Sequence, residues 1–244
     1  MPKNFRPLIL VMTAVLGLAG AATLRAGAIA VPNGSFEGPV VPLASPYATS
    51  VIDSWQKAPV PSWWTGAGYT ELQWDQSTGV FLNVGNTVDN IVGNQGAFIF
   101  AAPGMELYQE LPAIYEVGQS YKLSVLAEGG GYGMALGVPI EFRFYYLDGS
   151  SQRVTISSAT ATNANGSGGI SHLNEYTADL PIITGLEPWA GKKIGIQLIS
   201  TVGGAEAGGY WDVDNVQVVS VPEPATLGLL AIGAVGLLLR RRRL

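Results

Sequence analysis

All six tryptophans of this 244-residue chain, Trp55, Trp63, Trp64, Trp74, Trp189 and Trp211, lie between its two apolar ends. Four of them fall between positions 55 and 74, beside Tyr69, where residues 58–68 read APVPSWWTGAG, a stretch punctuated by Pro and Gly. Aromatic faces stack on sugar rings, and aromatics on loops beside amide and acidic groups are what a glycan site needs. Trp63, Trp64 and Tyr69 are therefore the first candidates for carbohydrate contact, with Trp74 and Tyr132 behind them. The competing reading is that most of these rings pack a core, as Trp211 in the closing strand should.

Other chemistries are excluded by residue counts. The absence of cysteine removes disulfides, thiolate metal sites, iron–sulfur clusters and a Cys nucleophile. His172 is the single histidine, so no His-cluster metal site can form, and it lies far from any serine elbow. G-x-S-x-G, H-E-x-x-H, P-loop and helix-opening G-x-G-x-x-G patterns are all missing. Glycoside hydrolysis needs only two carboxylates, which the chain could supply, but no sequence feature marks such a pair.

The two ends differ from the middle. Residues 1–30 read as a signal peptide: Lys3 and Arg6 precede an apolar run from Leu8 to Ala22, and Ala28-Ile29-Ala30 is an A-x-A cleavage pattern. At ~1.5 Å per residue that helical run spans ~22 Å, short of a ~30 Å hydrocarbon core. Cleavage is expected after Ala30, with Ala22 and Ala26 as earlier alternatives. At the other end, Pro222-Glu223-Pro224 precedes an apolar stretch from Ala225 to Leu239, read as a transmembrane helix, and then Arg240, Arg241, Arg242 and Arg243. The arginines would hold that end in the cytoplasm.

Between the ends, residues 31–220 carry six cations (Lys57, Lys122, Arg143, Arg153, Lys192, Lys193) against 17 anions, a net charge of −11 hidden within the −5 of the whole chain. So acidic a body repels nucleic acid and anionic lipid and attracts cations. Much of the mean hydropathy of +0.27 comes from the two ends. Runs rich in β-formers recur at 80–84, 96–100, 107–111, 120–127, 140–146, 153–157, 193–200 and 210–219, most bounded by Gly, Pro, Asn or Asp. Tyr121, Leu123, Val125 and Ala127 share one face, and Asp148-Gly149 marks a hairpin. No helical stripe stands out in the body. Residues 157–171 (SSATATNANGSGGIS) and 128–133 (EGGGYG) read as flexible connections. One all-β domain is expected over 31–220, an antiparallel β-sandwich flanked by an N-terminal signal helix and a single C-terminal transmembrane helix.

Two family resemblances follow from these residues. The Pro-Glu-Pro at 222–224, the short apolar helix and the terminal Arg cluster resemble the PEP-CTERM sorting signal of Gram-negative bacteria, taken here as 221–244. That resemblance implies signal peptidase and the secretion machinery as partners. It also implies recognition by an exosortase, transient membrane anchoring through the C-terminal helix, and association with exopolysaccharide or biofilm matrix at the cell surface. Separately, the opening N-G-S-F-E (Asn33–Glu37) and the closing W-x-x-D-N-V-x-V (Trp211–Val218) resemble galactose-binding-like jelly rolls, which include carbohydrate-binding module families. In many such modules a structural calcium ion ties the first strand to the last. The matching ligands would be Glu37 and Asp214, helped by Asp212 and by backbone carbonyls near Asn33 and Ser35; calcium takes six to eight oxygens. The alternative is that Asp214-Asn215 caps a turn and Glu37 is merely exposed. The functional expectation is a non-catalytic, exported, exosortase-processed surface or matrix protein that binds polysaccharide. A secreted glycan hydrolase or lyase on the same scaffold, or a purely structural surface protein, are the alternatives.

Overall fold

The structure, a computed structural model, describes residues 26–204 and 208–222. The apolar run of the signal, Glu223, Pro224, the apolar stretch from Ala225 and Arg240–Arg243 lie outside the described residues. Among the described residues no helix is long and apolar enough to cross a membrane.

The described body is built from twelve strands in two antiparallel sheets. In chain order the strands are β1 (Gly27–Ile29), β2 (Ala48–Thr49), β3 (Gln56–Lys57), β4 (Thr78–Leu82), β5 (Gln95–Phe100) and β6 (Glu106–Ile114). They continue with β7 (Gln119–Gly131), β8 (Pro139–Leu147), β9 (Arg153–Thr162), β10 (Asn174–Leu180), β11 (Lys193–Ser200) and β12 (Tyr210–Pro222). One sheet runs β10-β7-β12-β5-β4-β2, with β1 also paired to β12, and the other runs β3-β6-β11-β8-β9.

All eight runs read as strands in the sequence are strands. Tyr121, Leu123, Val125 and Ala127 of β7 do face the core, where they meet Phe142, Phe144, Ile196 and Leu198 of the other sheet and Trp211 and Val213 of β12. Burying such side chains is worth ~1.5–3 kcal/mol each, which is what holds a body without disulfides together. The Asp148-Gly149 hairpin joins β8 to β9, and the Asp148 carboxylate accepts from the N–H groups of Ser150 and Gln152 at 2.8 and 2.9 Å.

Several local readings are corrected. β9 runs on to Thr162 and β7 to Gly131, so about half of each stretch read as flexible is sheet. Small side chains there suit a closely packed strand as well as a loop. Two five-residue helices also appear, α1 (Ser62–Gly66) and α2 (Glu71–Asp75). They are too short to show a stripe, but α2 carries a capping box that was legible: Thr70 accepts from the Gln73 N–H while the Gln73 side chain accepts from the Thr70 N–H. The sheet also begins upstream of residue 31, at Gly27.

The expected neighbourhood of the two ends of the body is present. Ser220, Val219 and Val218 of β12 pair with Gly27, Ala28 and Ile29, and the Val216 N–H donates to the Gly34 carbonyl at 2.8 Å. A Cβ at Gly34 would stand 2.5 Å from the Val216 carbonyl oxygen, so this approach requires glycine. The Asn33 side chain bonds Gly38 in both directions, and Phe36 stacks on Trp55 with ring centroids 5.3 Å apart. The opening motif is thus a folded corner seated against the last strand.

On the outer face of the five-stranded sheet, buried Glu106 accepts from Arg153 Nη2 at 2.5 Å and from Gln197. The guanidinium of Arg153 lies 3.7 Å from the centre of the Tyr108 ring. This polar lid explains why β11, apolar on one face, is buried on both.

Candidate ligand-binding site

The outer face of the seven-stranded sheet is hollowed where β4 and β5 pair. Gly79 stands opposite Phe98 and Phe81 opposite Gly96. A Cβ at Gly79 would lie 2.6 Å from Phe98 Cζ, and one at Gly96 would lie 3.0 Å from the Phe81 ring. Each phenylalanine therefore leans over the partner strand's glycine, and the two half-buried rings form an apolar floor. Tyr210 meets Phe98 edge-on with centroids 5.5 Å apart, and Tyr132 meets Tyr210 edge-on at 5.7 Å. With Tyr47, Ile170, Gln76 and Thr87 these rings line a cleft of about 820 Å³, within the range of small-molecule sites.

One carboxylate opens into this cleft. Asp212 pairs across the ladders with Phe98 on β5 and Glu128 on β7. Among the described residues no donor bonds its oxygens. Burial and then the charge of Glu128 push its pKa up to about 7. Glu128 itself is fully engaged: it accepts from Asn165 Nδ2 at 2.5 Å and from the N–H groups of Ser171 and His172 at 2.7 and 2.9 Å. It thereby anchors the 163–173 segment, which places Ile170 in the cleft wall. His172 is used structurally: its Nε2 lies 3.0 Å from Asn90 Nδ2, and Asp89 forms a parallel bridge with it.

A second carboxylate pair lies further along the same face. Glu37 Oε1 accepts from the N–H groups of Asn94 and Gln95 at 2.8 and 2.9 Å, and Asp214 Oδ2 accepts from the Val92 N–H at 2.6 Å. Any side chain at Gly93 would collide with Glu37. Asp214 is fully buried, and among the described residues its Oδ1 has no hydrogen-bond partner. Burial raises its pKa to about 7; the backbone N–H groups of Val92 and Asn215 oppose that shift and the nearby Glu37 charge adds to it. Glu37 and Asp214 are thus brought together, while Asp212 is grouped with Glu128 instead. Among the described residues no cluster of three or more His, Asp or Glu side chains is placed to hold a metal. The unpartnered Asp214 oxygen beside Glu37 is nonetheless the kind of donor a hard cation takes.

The aromatic candidates divide by burial. Trp64 and Trp74 are buried, and their indole N–H groups donate to the carbonyls of Thr70 and Ala58, each at 2.9 Å. Trp63 and Tyr69 are 42% and 49% exposed and pack edge-on or tilted against those two rings. Tyr132, 92% exposed, is the one of the five that lines the cleft. Phe81, Phe98, Tyr47 and Tyr210 are not marked as ligand-contacting by the sequence, and Asp212 is marked there only as a calcium ligand. The signal available was the repeated G-x-F of Gly79-Val80-Phe81 and Gly96-Ala97-Phe98, which antiparallel pairing turns into reciprocal Gly–Phe contacts.

Residues 220–243 match the PEP-CTERM protein-sorting motif. That motif marks the chain for export and exosortase-mediated sorting to the cell surface. No curated protein sequence matches the chain. In fold it is similar to a Stig cyclase from Fischerella sp. TAU solved with (3Z)-3-(1-methyl-2-pyrrolidinylidene)-3H-indole (20% identity, 81% of this chain and 99% of that one, TM-score 0.59). The apo form of a cyclase from Fischerella sp. is comparable (19% identity, 81% and 97%, TM-score 0.58). The CBM22-1 xylan-binding domain of Paenibacillus barcinonensis Xyn10C is also similar (12% identity, 70% and 87%, TM-score 0.43).

Proposed function

We propose that this is a non-catalytic, exosortase-processed surface or matrix protein whose jelly-roll body, of the galactose-binding-like kind, binds polysaccharide in the cleft floored by Phe81 and Phe98. The observation that carries this reading is the concentration of accessible aromatic surface, from Phe81, Phe98, Tyr47, Tyr132 and Tyr210, around one carboxylate on an exposed sheet face. Aromatic rings suit the apolar faces of pyranoses, and Asp212, Gln76 and Thr87 offer polar partners for hydroxyls. Export and surface sorting would bring such a cleft to the exopolysaccharide layer, with biofilm association as the biological setting.

The rival, a glycan-cleaving enzyme, needs a second carboxyl group free to act. Glu128, the acid paired across from Asp212, has both oxygens committed to the 163–173 segment, which favours binding over cleavage. A structural calcium ion held by Glu37, Asp214 and neighbouring carbonyls is part of the proposal. It would lock the opening corner onto the last strand.

The test is affinity electrophoresis of the full chain, purified in detergent, through gels containing neutral, acidic and amino-sugar polysaccharides. Retardation that disappears in Tyr132→Ala and Phe98→Ala is expected. Unretarded migration in every gel overturns polysaccharide binding, and reducing-sugar release from any of them overturns the non-catalytic reading.

A further inference from the structure

Resting on that polysaccharide reading, we infer that the cleft selects amino sugars with a free, protonated amine, the ammonium seating on Asp212 among the surrounding rings. The Asp212 carboxylate is half-buried, and among the described residues it receives no hydrogen bond. Its cross-strand neighbours are Phe98, which cannot donate, and Glu128, which repels it. Among the described residues no lysine, arginine or histidine lines the cleft, so these residues supply no cation to it.

A bound ammonium would supply the missing charge. Tyr132, Tyr210 and Phe98 surround the position with π-faces and edges, and a cation over an aromatic face gains ~0.5–2 kcal/mol, more when water is excluded. The −11 charge of the body adds long-range attraction for a polycation and none for an acidic polymer. N-acetylation removes the positive charge while leaving the sugar ring available for stacking. A matched pair of free-amine and acetylated oligomers therefore separates the ammonium contact from general sugar binding.

The experiment is calorimetric titration of the full chain in detergent with β-1,4-glucosamine hexamer, N-acetylglucosamine hexamer and a neutral glucan hexamer. The glucosamine oligomer should bind at least tenfold tighter than the acetylated one. Asp212→Asn should abolish that preference, and Tyr132→Ala, at an exposed position, should weaken both. Equal or tighter binding of the acetylated oligomer, or a preference that survives Asp212→Asn, overturns this inference and leaves polysaccharide binding standing. Absence of binding to all three overturns both.

The pairing of β1 with β12 carries a separate inference. We infer that the N-terminal cut falls at or before Ala26, upstream of the A-x-A at 28–30. Gly27–Ile29 form β1, aligned with Ser220–Val218, while Ile29 and Val31 pack against the core. Cleavage after Ala30 would delete β1 and leave Val218–Ser220 of β12 an unpaired edge on that side, where the strand enters the sorting motif. Mass spectrometry of the exported protein from an exosortase-bearing host should find Gly27 or an earlier residue first. A first residue between Ala28 and Val31 overturns the inference.

Discussion

Phe98 and Gly79 face each other across the β4–β5 ladder, with the ring tip of Phe98 standing where a side chain on Gly79 would be. Phe81 and Gly96 repeat the relation in the opposite sense, so the two strands exchange rings over each other's glycines. The arrangement lowers two aromatic side chains onto the sheet and leaves room above them. A methyl at either glycine would lift a ring into the space the ligand needs.

Gly79→Ala should therefore be destabilising by about 1–3 kcal/mol, as overpacking is, and should weaken polysaccharide binding in the same protein. Gly66→Ala is the control, because nothing stands within 4 Å of a Cβ there. Urea denaturation of both variants checks the contrast. Equal midpoints would mean that both the Phe98 ring and the Thr49 carbonyl, which stands 2.2 Å from a Cβ at Gly79, move aside freely.

The Glu37–Asp214 pair predicts a calcium effect. A ligand present at a hundred times its Kd stabilises by about 2.7 kcal/mol, so the melting temperature in calcium should exceed that in EDTA by several degrees. Asp214→Asn should remove the difference by taking away the charged, unpartnered donor. Identical melts of the unaltered protein in calcium and EDTA would remove calcium from the proposal.

How far these features could be read in advance depends on whether they were local in the chain. Strand periodicity is local, so eight strands and the inward face of β7 were legible. The tiny strands β1, β2 and β3, with three, two and two residues, carry no period and exist only through their partners. β10 pairs fully with β7, but its sequence, NEYTADL, alternates weakly. The cleft was hidden for the same reason. Tyr47, Phe81, Phe98, Tyr132 and Tyr210 are scattered over the chain and converge only when β4, β5 and β12 align. The tryptophan-rich stretch was conspicuous because its rings are adjacent in sequence, yet two of them are held inward by α1 and α2.

That inward placement is itself testable. Trp64 is 6% exposed and in contact with Trp63, Tyr69 and Trp74, so Trp64→Ala should cost about 3–5 kcal/mol, the range for emptying a buried aromatic site. Trp63→Ala, at a partly exposed position, should cost about 1 kcal/mol or less. Chemical denaturation monitored by tryptophan fluorescence distinguishes the two. Similar losses would place Trp63 in the core as well.

Asp212 and Asp214 give the stability of this protein an inverted pH dependence. Both carboxyls are raised to about 7 in the folded chain, mainly by burial, against about 3.9 when unfolded. Between those values the folded state keeps protons that the unfolded chain has released, so stability falls as pH rises through this window. Below about pH 4 both states are protonated and the full contribution is present, and above pH 7 it is lost. In EDTA, which keeps calcium from masking Asp214, the melting temperature should fall steadily from pH 5 to pH 8. Asp212→Asn removes one of the two ionisations, so it should flatten part of that slope. At pH 8 it should leave the variant more stable by about 1–2 kcal/mol, a figure reduced from the full shift because the side chain is half-buried. A melting temperature that rises from pH 5 to pH 8, or an Asp212→Asn variant with an unchanged slope, would show that Asp212 ionises normally and is not desolvated by the cleft.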